Sequence, residues 1–167
     1  NTGVNLFKPG SDPMNNIPFL ATLACVVKGV DEYADLLRLS IACAGNDHRL
    51  GGNEAPTTIV SVFLGDELTE ILTAIENEAE YDSREKVQLK VGVHVLPRFP
   101  KDTTDRNRTS PFAFTGNKFE FRMVGSSQNI ALANTVLNTA VAKSFSDFAD
   151  ILEKSTDFDA DLDKLIK

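Results

Sequence analysis

The chain has 167 residues, 42% of them apolar and 25% charged, which is one ordinary soluble globular domain able to bury roughly 70% of its unfolded surface. A net charge of −7 and a pI near 4.8 argue against nonspecific binding to nucleic acid or to an anionic membrane. No apolar run reaches membrane-spanning length, and no signal peptide opens the chain.

Residues 1 to 16 are rich in Asn, Gly and Pro and read as loop. With no initiating Met, the chain is expected to be an excised piece or a processed product. Pro18 to Ala44 reads as one long helix of roughly 40 Å. Phe19, Leu23, Val26, Val30, Ala34, Leu37 and Ile41 form its apolar stripe. Cys25 and Cys43 lie in this apolar sequence and are expected to be small buried hydrophobes in a reducing compartment. The Asn107-Arg108-Thr109 sequon then reads as accidental.

Gly45 is expected to cap the helix C-terminus. GNDHRLGGNEAP, residues 45–56, should then be a glycine-rich polar loop. Arg49 and Glu54 lie five positions apart across a Gly-Gly hinge. Either could swing over a pocket, or both could sit on an exposed surface loop. A lone His48 carries little weight. Pro56 to Leu64 is a β-branched apolar run that periodicity assigns neither to strand nor to helix. Asp66 to Glu80 predicts a helix with Leu68, Ile71, Leu72 and Ile75 on one side. Val87 to Leu96 alternates as a half-buried strand ended by Pro97 and Pro100.

The stretch 105–127, DRNRTSPFAFTGNKFEFRMVGSS, predicts a β-hairpin. Phe112 to Thr115 and Lys118 to Val124 are its strands, and Gly116-Asn117 is a type II′ turn. Side chains alternate faces. Phe119, Phe121 and Met123 therefore share an apolar face; Lys118, Glu120 and Arg122 share a polar one. That polar face is either solvated or the lining of a site. Arg106 and Arg108 bring two more guanidinium groups beside it. Asn129 to Lys154 predicts a second long helix, with Ala133, Leu137, Ala140, Ser144, Phe148 and Ile151 on one stripe. Phe158, Leu162 and Ile166 suggest a further helix. Internal repeats, CxxC pairs, HExxH, GxSxG and a phosphate-cradling GxxxxGK[ST] are all missing from the sequence. The elements make an α+β chain with two long helices.

NDHRLGGNEAP, then DRNRTSPFAFTGNKFEFRMVGSS, then ANTVLNTAVA resemble glutamine synthetase, and more narrowly its type III form. The resemblance runs along almost the whole chain and is identified with the C-terminal part of the catalytic domain. It implies part of a barrel of antiparallel strands packed with two long helices. It also implies the ligation of glutamate and ammonia, with ATP, through γ-glutamyl phosphate. Two or three Mg²⁺ or Mn²⁺ ions, a cytoplasmic location and a dodecamer of two stacked hexameric rings belong to the same expectation. By resemblance, Arg49 binds the glutamate carboxylate and Glu54 accepts a proton from ammonium. Arg108 touches the ATP phosphates and the transferring phosphoryl group, with Arg106 beside it. Glu120 is a ligand of the metal shared with the nucleotide, and Arg122 lies at the glutamate and phosphoryl position. Phosphoryl transfer needs positioning and charge neutralisation, which suits guanidinium forks and a carboxylate-held Mg²⁺.

The chain departs from type I members of that family. Ala113 stands where they have a nucleotide-binding arginine, and Thr115 where they have a lysine, for which Lys118 is the candidate replacement. The Arg49–Glu54 spacing is one residue shorter. The family's other metal-binding glutamates, its NGSG loop, its ligand histidine and its N-terminal β-grasp domain have no counterpart here. About half of an active site is therefore expected, and the fragment alone is expected to be inactive. The alternative reading is a non-catalytic nucleotide- or partner-binding module.

Overall fold

Asn16 decides where the first helix begins. Its side-chain oxygen accepts the Phe19 N–H at 3.2 Å, and its Nδ2 donates to the carbonyl of Pro9 at 3.0 Å. A computed structural model describes residues 3–48, 56–79, 81 and 110–167. From the Asn16 cap, with Pro18 in the first turn, α1 runs Ile17–Glu32. The chain then bends at Tyr33 (φ −116°, ψ 25°) into α2, Ala34–Ser40. The expected single 40 Å helix is thus divided. No proline causes the bend, which falls one turn after Gly29. There α1 lies so close to the helix opposite that a Cβ on Gly29 would sit 3.1 Å from the Ala140 carbonyl oxygen and 3.0 Å from Ser144 Oγ. Both α1 and α2 pack against that opposite helix, and the bend keeps both on it.

Gly45 caps nothing. The helix has already ended at Ser40, Cys43 is extended (φ −137°, ψ 153°), and Gly45 lies inside a short helix α3, Ala44–Asp47. The extended backbone also turns Cys43 outward, so it is exposed, whereas Cys25 is buried as expected.

The ambiguous run 56–64 yields a two-residue strand, β1 (Val62–Phe63), and Asp66–Glu76 is helix α4. Leu68 and Ile71 are buried on α4. Strands β2 (Phe112–Phe114) and β3 (Phe119–Phe121) form the expected antiparallel hairpin, with Phe112 opposite Phe121, Ala113 opposite Glu120 and Phe114 opposite Phe119. Both strands are shorter than expected, and Thr115, Lys118 and Arg122 to Val124 flank them. Gly116 has φ +89°, the conformation that makes glycine the residue for this turn, and the Thr115 N–H closes it on the Lys118 carbonyl at 2.8 Å. The strands are not all antiparallel, because β1 pairs parallel to β2, so β2 is the central strand and is buried throughout. The predicted strand at 87–96 lies outside the described residues.

Helix α5, Ala131–Leu152, is long, as its stripe predicts. Ala133, Ala140, Ser144 and Phe148 are buried, while Ile151 at its end is exposed. Helix α6, Phe158–Ile166, is capped by Asp157, which accepts the Ala160 N–H.

Two apolar clusters fill the space between helices and sheet. Val26, Val30, Leu37, Ile41, Phe112, Met123 and Ala133 belong to one, and Phe19, Leu23, Leu68, Ile71 and Phe114 to the other. Phe119 packs against both, stacking on Phe112 with centroids 4.8 Å apart and planes 7° from parallel. These clusters take up the apolar face of the hairpin. Its other face is left to polar side chains.

Candidate active site

Strand alternation places Ala113, Thr115, Glu120 and Arg122 on the hairpin face opposite the phenylalanines. Glu120 is the hub of this face. Arg122 Nε and Nη2 lie 3.1 and 3.0 Å from its Oε2. Thr115 Oγ1 donates to Oε1 at 3.3 Å, and Lys118 Nζ lies 3.5 Å from the same oxygen. Glu120 keeps 38% of its side-chain surface, Arg122 17% and Lys118 65%. The carboxylate is therefore half-open, with one guanidinium largely withdrawn from water beside it.

The charge state follows from the partners. The hydrogen bond from Arg122 holds the Glu120 carboxyl below the usual carboxylate range; partial burial opposes this, and the nearby charges of Arg122 and Lys118 add to it. The carboxylate is ionised at neutral pH. An ionised carboxylate is a hard oxygen donor, the type that Mg²⁺ and Mn²⁺ accept. It suits one position of a metal site. Among the described residues no group of three His, Cys, Asp or Glu side chains gathers to complete such a site. Glu120 alone could fill one position of such a site, and among the described residues no companion carboxylate, His or Cys completes it.

One buried contact beside this face has no motif to announce it. Asn46, in α3, is fully buried. Its Nδ2 donates to the carbonyls of Ile41 and Met123, both at 3.0 Å, and its Oδ1 accepts the Gly125 N–H at 2.7 Å. All three bonds of this amide are made, and two of them go to the exit of β3. Asn46 is therefore anchored just beyond β3, the strand that carries Glu120, and next to Arg122. Nothing in the sequence signals this, because Asn46 lies in the polar run GNDH, which reads as loop.

Lys118, Glu120 and Arg122 are thus brought together by the structure. Arg49, Glu54, Arg106 and Arg108 lie outside the described residues. Ala113 is fully buried opposite Glu120, and Thr115 donates its hydroxyl to Glu120.

No protein-family model matches the chain. Curated proteins do. Over 142 residues it is 51% identical to the Type-3 glutamine synthetase of Dictyostelium discoideum, covering 85% of this chain and 19% of that protein. Over 156 residues it is 49% identical to a glutamine synthetase of Bacteroides fragilis (strain YCH46), covering 92% of this chain and 21% of the other. Over 119 residues it is 60% identical to a glutamine synthetase of Butyrivibrio fibrisolvens, covering 71% and 17%. The chain spans about a fifth of the length of the curated relatives it matches.

Proposed function

We propose that this chain, a stretch of glutamine synthetase sequence, supplies the C-terminal part of the catalytic domain of an ATP-dependent glutamate–ammonia ligase of the type III form. The observation that carries the reading is the Glu120 hub. An ionised carboxylate, flanked by a guanidinium and an ammonium on one strand face, is what a site for a metal-bound nucleotide phosphate requires.

In this reading the residues divide the work. Glu120 would be one ligand of a Mg²⁺ or Mn²⁺ ion, which when bound neutralises phosphate charge and polarises the phosphoryl oxygens. Arg122, released from Glu120 as substrate enters, places its planar fork against the transferring phosphoryl group and the glutamate side chain. Thr115 Oγ1 keeps the carboxylate oriented when Arg122 leaves it. Lys118, the most exposed of the set, reaches the ATP phosphates together with Arg106 and Arg108. Arg49 binds the glutamate carboxylate. Glu54 takes a proton from ammonium, so that nitrogen can attack the acyl phosphate. The rest of the site, with the remaining metal ligands, comes from the part of the protein outside this chain. The whole protein works as a homo-oligomer of stacked hexameric rings in the cytoplasm. The 167 residues alone do not turn over, because one carboxylate is too few protein ligands for the metal.

The test is Glu120→Gln in the full-length protein. Metal binding is followed by calorimetry and glutamine formation by product assay. The expected result is a metal requirement raised roughly 10- to 100-fold, lower turnover and an unchanged melting temperature. Normal metal affinity and normal turnover would make Glu120 a solvated strand residue and overturn the reading.

A further inference from the structure

Arg122 lies one residue past the end of β3. Its own N–H still donates to the Pro111 carbonyl at 2.8 Å. Among the described residues, the next hold on this backbone is a side chain. The Met123 carbonyl and the Gly125 N–H both bond to the amide of Asn46, at 3.0 and 2.7 Å. The backbone of Arg122 is therefore pinned on both sides. Asn46 is itself fixed, fully buried and with its Nδ2 also on the Ile41 carbonyl at 3.0 Å. A second contact ties the same two segments together. Gly45 lies so close under the Gln128 amide that a Cβ would stand 2.8 Å from Nε2, and the Cys43 thiol donates to Gln128 Oε1 at 3.4 Å. The short helix α3 and the residue before it thus grip the chain from Met123 to Gln128, directly after Arg122.

We propose that Asn46 is a positioning residue for Arg122, clamping the backbone from which that guanidinium works. The inference rests on the proposed function, in which Arg122 leaves Glu120 and turns to the transferring phosphoryl group. A side chain that swings between two partners needs a fixed pivot, because its reach is set by where its Cα sits. A backbone shift of about 1 Å carries to the guanidinium and can cost roughly 10²-fold in rate. An amide suits this post. It donates to a carbonyl and accepts from an N–H at once, so one side chain holds two backbone groups of the same strand exit. In this role Asn46 touches neither substrate nor metal and acts only through Arg122.

The experiment uses the full-length protein with Asn46→Ala, Asn46→Ser, Arg122→Gln and the two double variants. Each is melted, and steady-state kinetics against glutamate and ATP are run below every melting temperature. Asn46→Ala is expected to lower kcat from about tenfold to 10²-fold and to raise KM for glutamate, with KM for ATP unchanged. Combined with Arg122→Gln, it should lower kcat no further than Arg122→Gln does alone, because the group it positions is already gone. Asn46→Ser keeps one hydroxyl at the strand exit and should fall between Asn46→Ala and the parent, in the same non-additive way; it carries the test should Asn46→Ala fail to fold. Parental kcat in the Asn46 variants, with Arg122→Gln impaired, overturns the role of Asn46 alone. Losses that multiply in the double variants also overturn it, because they mark a merely structural residue whose effect does not pass through Arg122. Parental kcat in Arg122→Gln overturns the reading of Arg122 itself, and the inference falls with it.

Discussion

Asn46 and Gly125 are 79 positions apart in the chain, and their Oδ1 and N–H are 2.7 Å apart in space. Together with the two bonds donated by Asn46 Nδ2, this makes one buried amide the junction between the short helix α3 and the exit of the hairpin. Asn46→Ala leaves the Met123 carbonyl and the Gly125 N–H without this partner, while the Ile41 carbonyl keeps the Cys43 N–H at 3.0 Å. Each buried orphan costs about 1–3 kcal/mol, so a loss of about 2 kcal/mol or more is expected in denaturant unfolding. KM for glutamate should rise as well, since the anchor of the backbone beside Arg122 is gone. A variant with parental stability would show that water replaces the amide.

Arg122 presents two nitrogens to one oxygen of Glu120. Arg122→Lys keeps the charge and removes the fork. Turnover should fall roughly 10²- to 10³-fold, the usual loss for one preorganised donor, with KM for ammonium unaffected. Full activity in rapid-quench assays would mean that charge alone suffices.

Glu54→Gln tests the proton acceptor. The variant should still bind ATP and glutamate and still form the acyl phosphate. It should lose glutamine formation and release phosphate without product, because water replaces the unactivated amine. Phosphate release measured beside glutamine release decides: intact rates of both end the proton-acceptor role, and equal loss of both points to a defect of binding or folding.

Burial pushes the Cys25 thiol up to about 11, against the smaller opposing effect of the Lys28 charge. The folded state therefore holds the Cys25 proton where the unfolded chain, with a thiol near 9.0, releases it. The stability this contributes is complete below the unfolded value and is lost as pH rises through the folded one. Between these values the parent should lose stability that a Cys25→Ala variant does not. At neutral pH, mass spectrometry after iodoacetamide should find Cys25 unlabelled until denaturant is added. Rapid labelling of Cys25 in the native protein would contradict its burial.

Gly29→Ala gains helix propensity, worth about 1 kcal/mol. It also places a methyl group 3.1 Å from the Ala140 carbonyl oxygen, a backbone atom that cannot turn away. Overpacking at such a contact costs about 1–3 kcal/mol, so net destabilisation is expected in a thermal melt. Ser144→Ala, which removes only the 3.0 Å side-chain contact, should not restore the loss.

The features legible in sequence were those with a local cause. The hairpin register follows from period-two alternation around Gly116-Asn117. Glu120 and Arg122 meet because they are two positions apart, with the Arg122 N–H continuing the pairing to the Pro111 carbonyl just past β3. Helices α4 and α5 follow from their stripes. The bend at Tyr33 has no local breaker and depends on a helix far along the chain. The parallel pairing of β1 could not be read from PTTIVSVFL, because only two residues of it pair and the partner is β2. Asn46 was hidden for the same reason: its partners are Met123 and Gly125, and nothing in GNDH names them.

The contact of Gly29 with Ala140 and Ser144 joins residues more than a hundred positions apart. That separation has a consequence during synthesis. Ribosomes add about 5–20 residues each second, so the C-terminal half of α1 emerges roughly 5 to 20 s before the helix that covers it. Through that interval Val26 and Val30 have no native partner on α5. The nascent chain is then a natural client for a holdase chaperone, and its yield should depend on how fast the ribosome reaches α5.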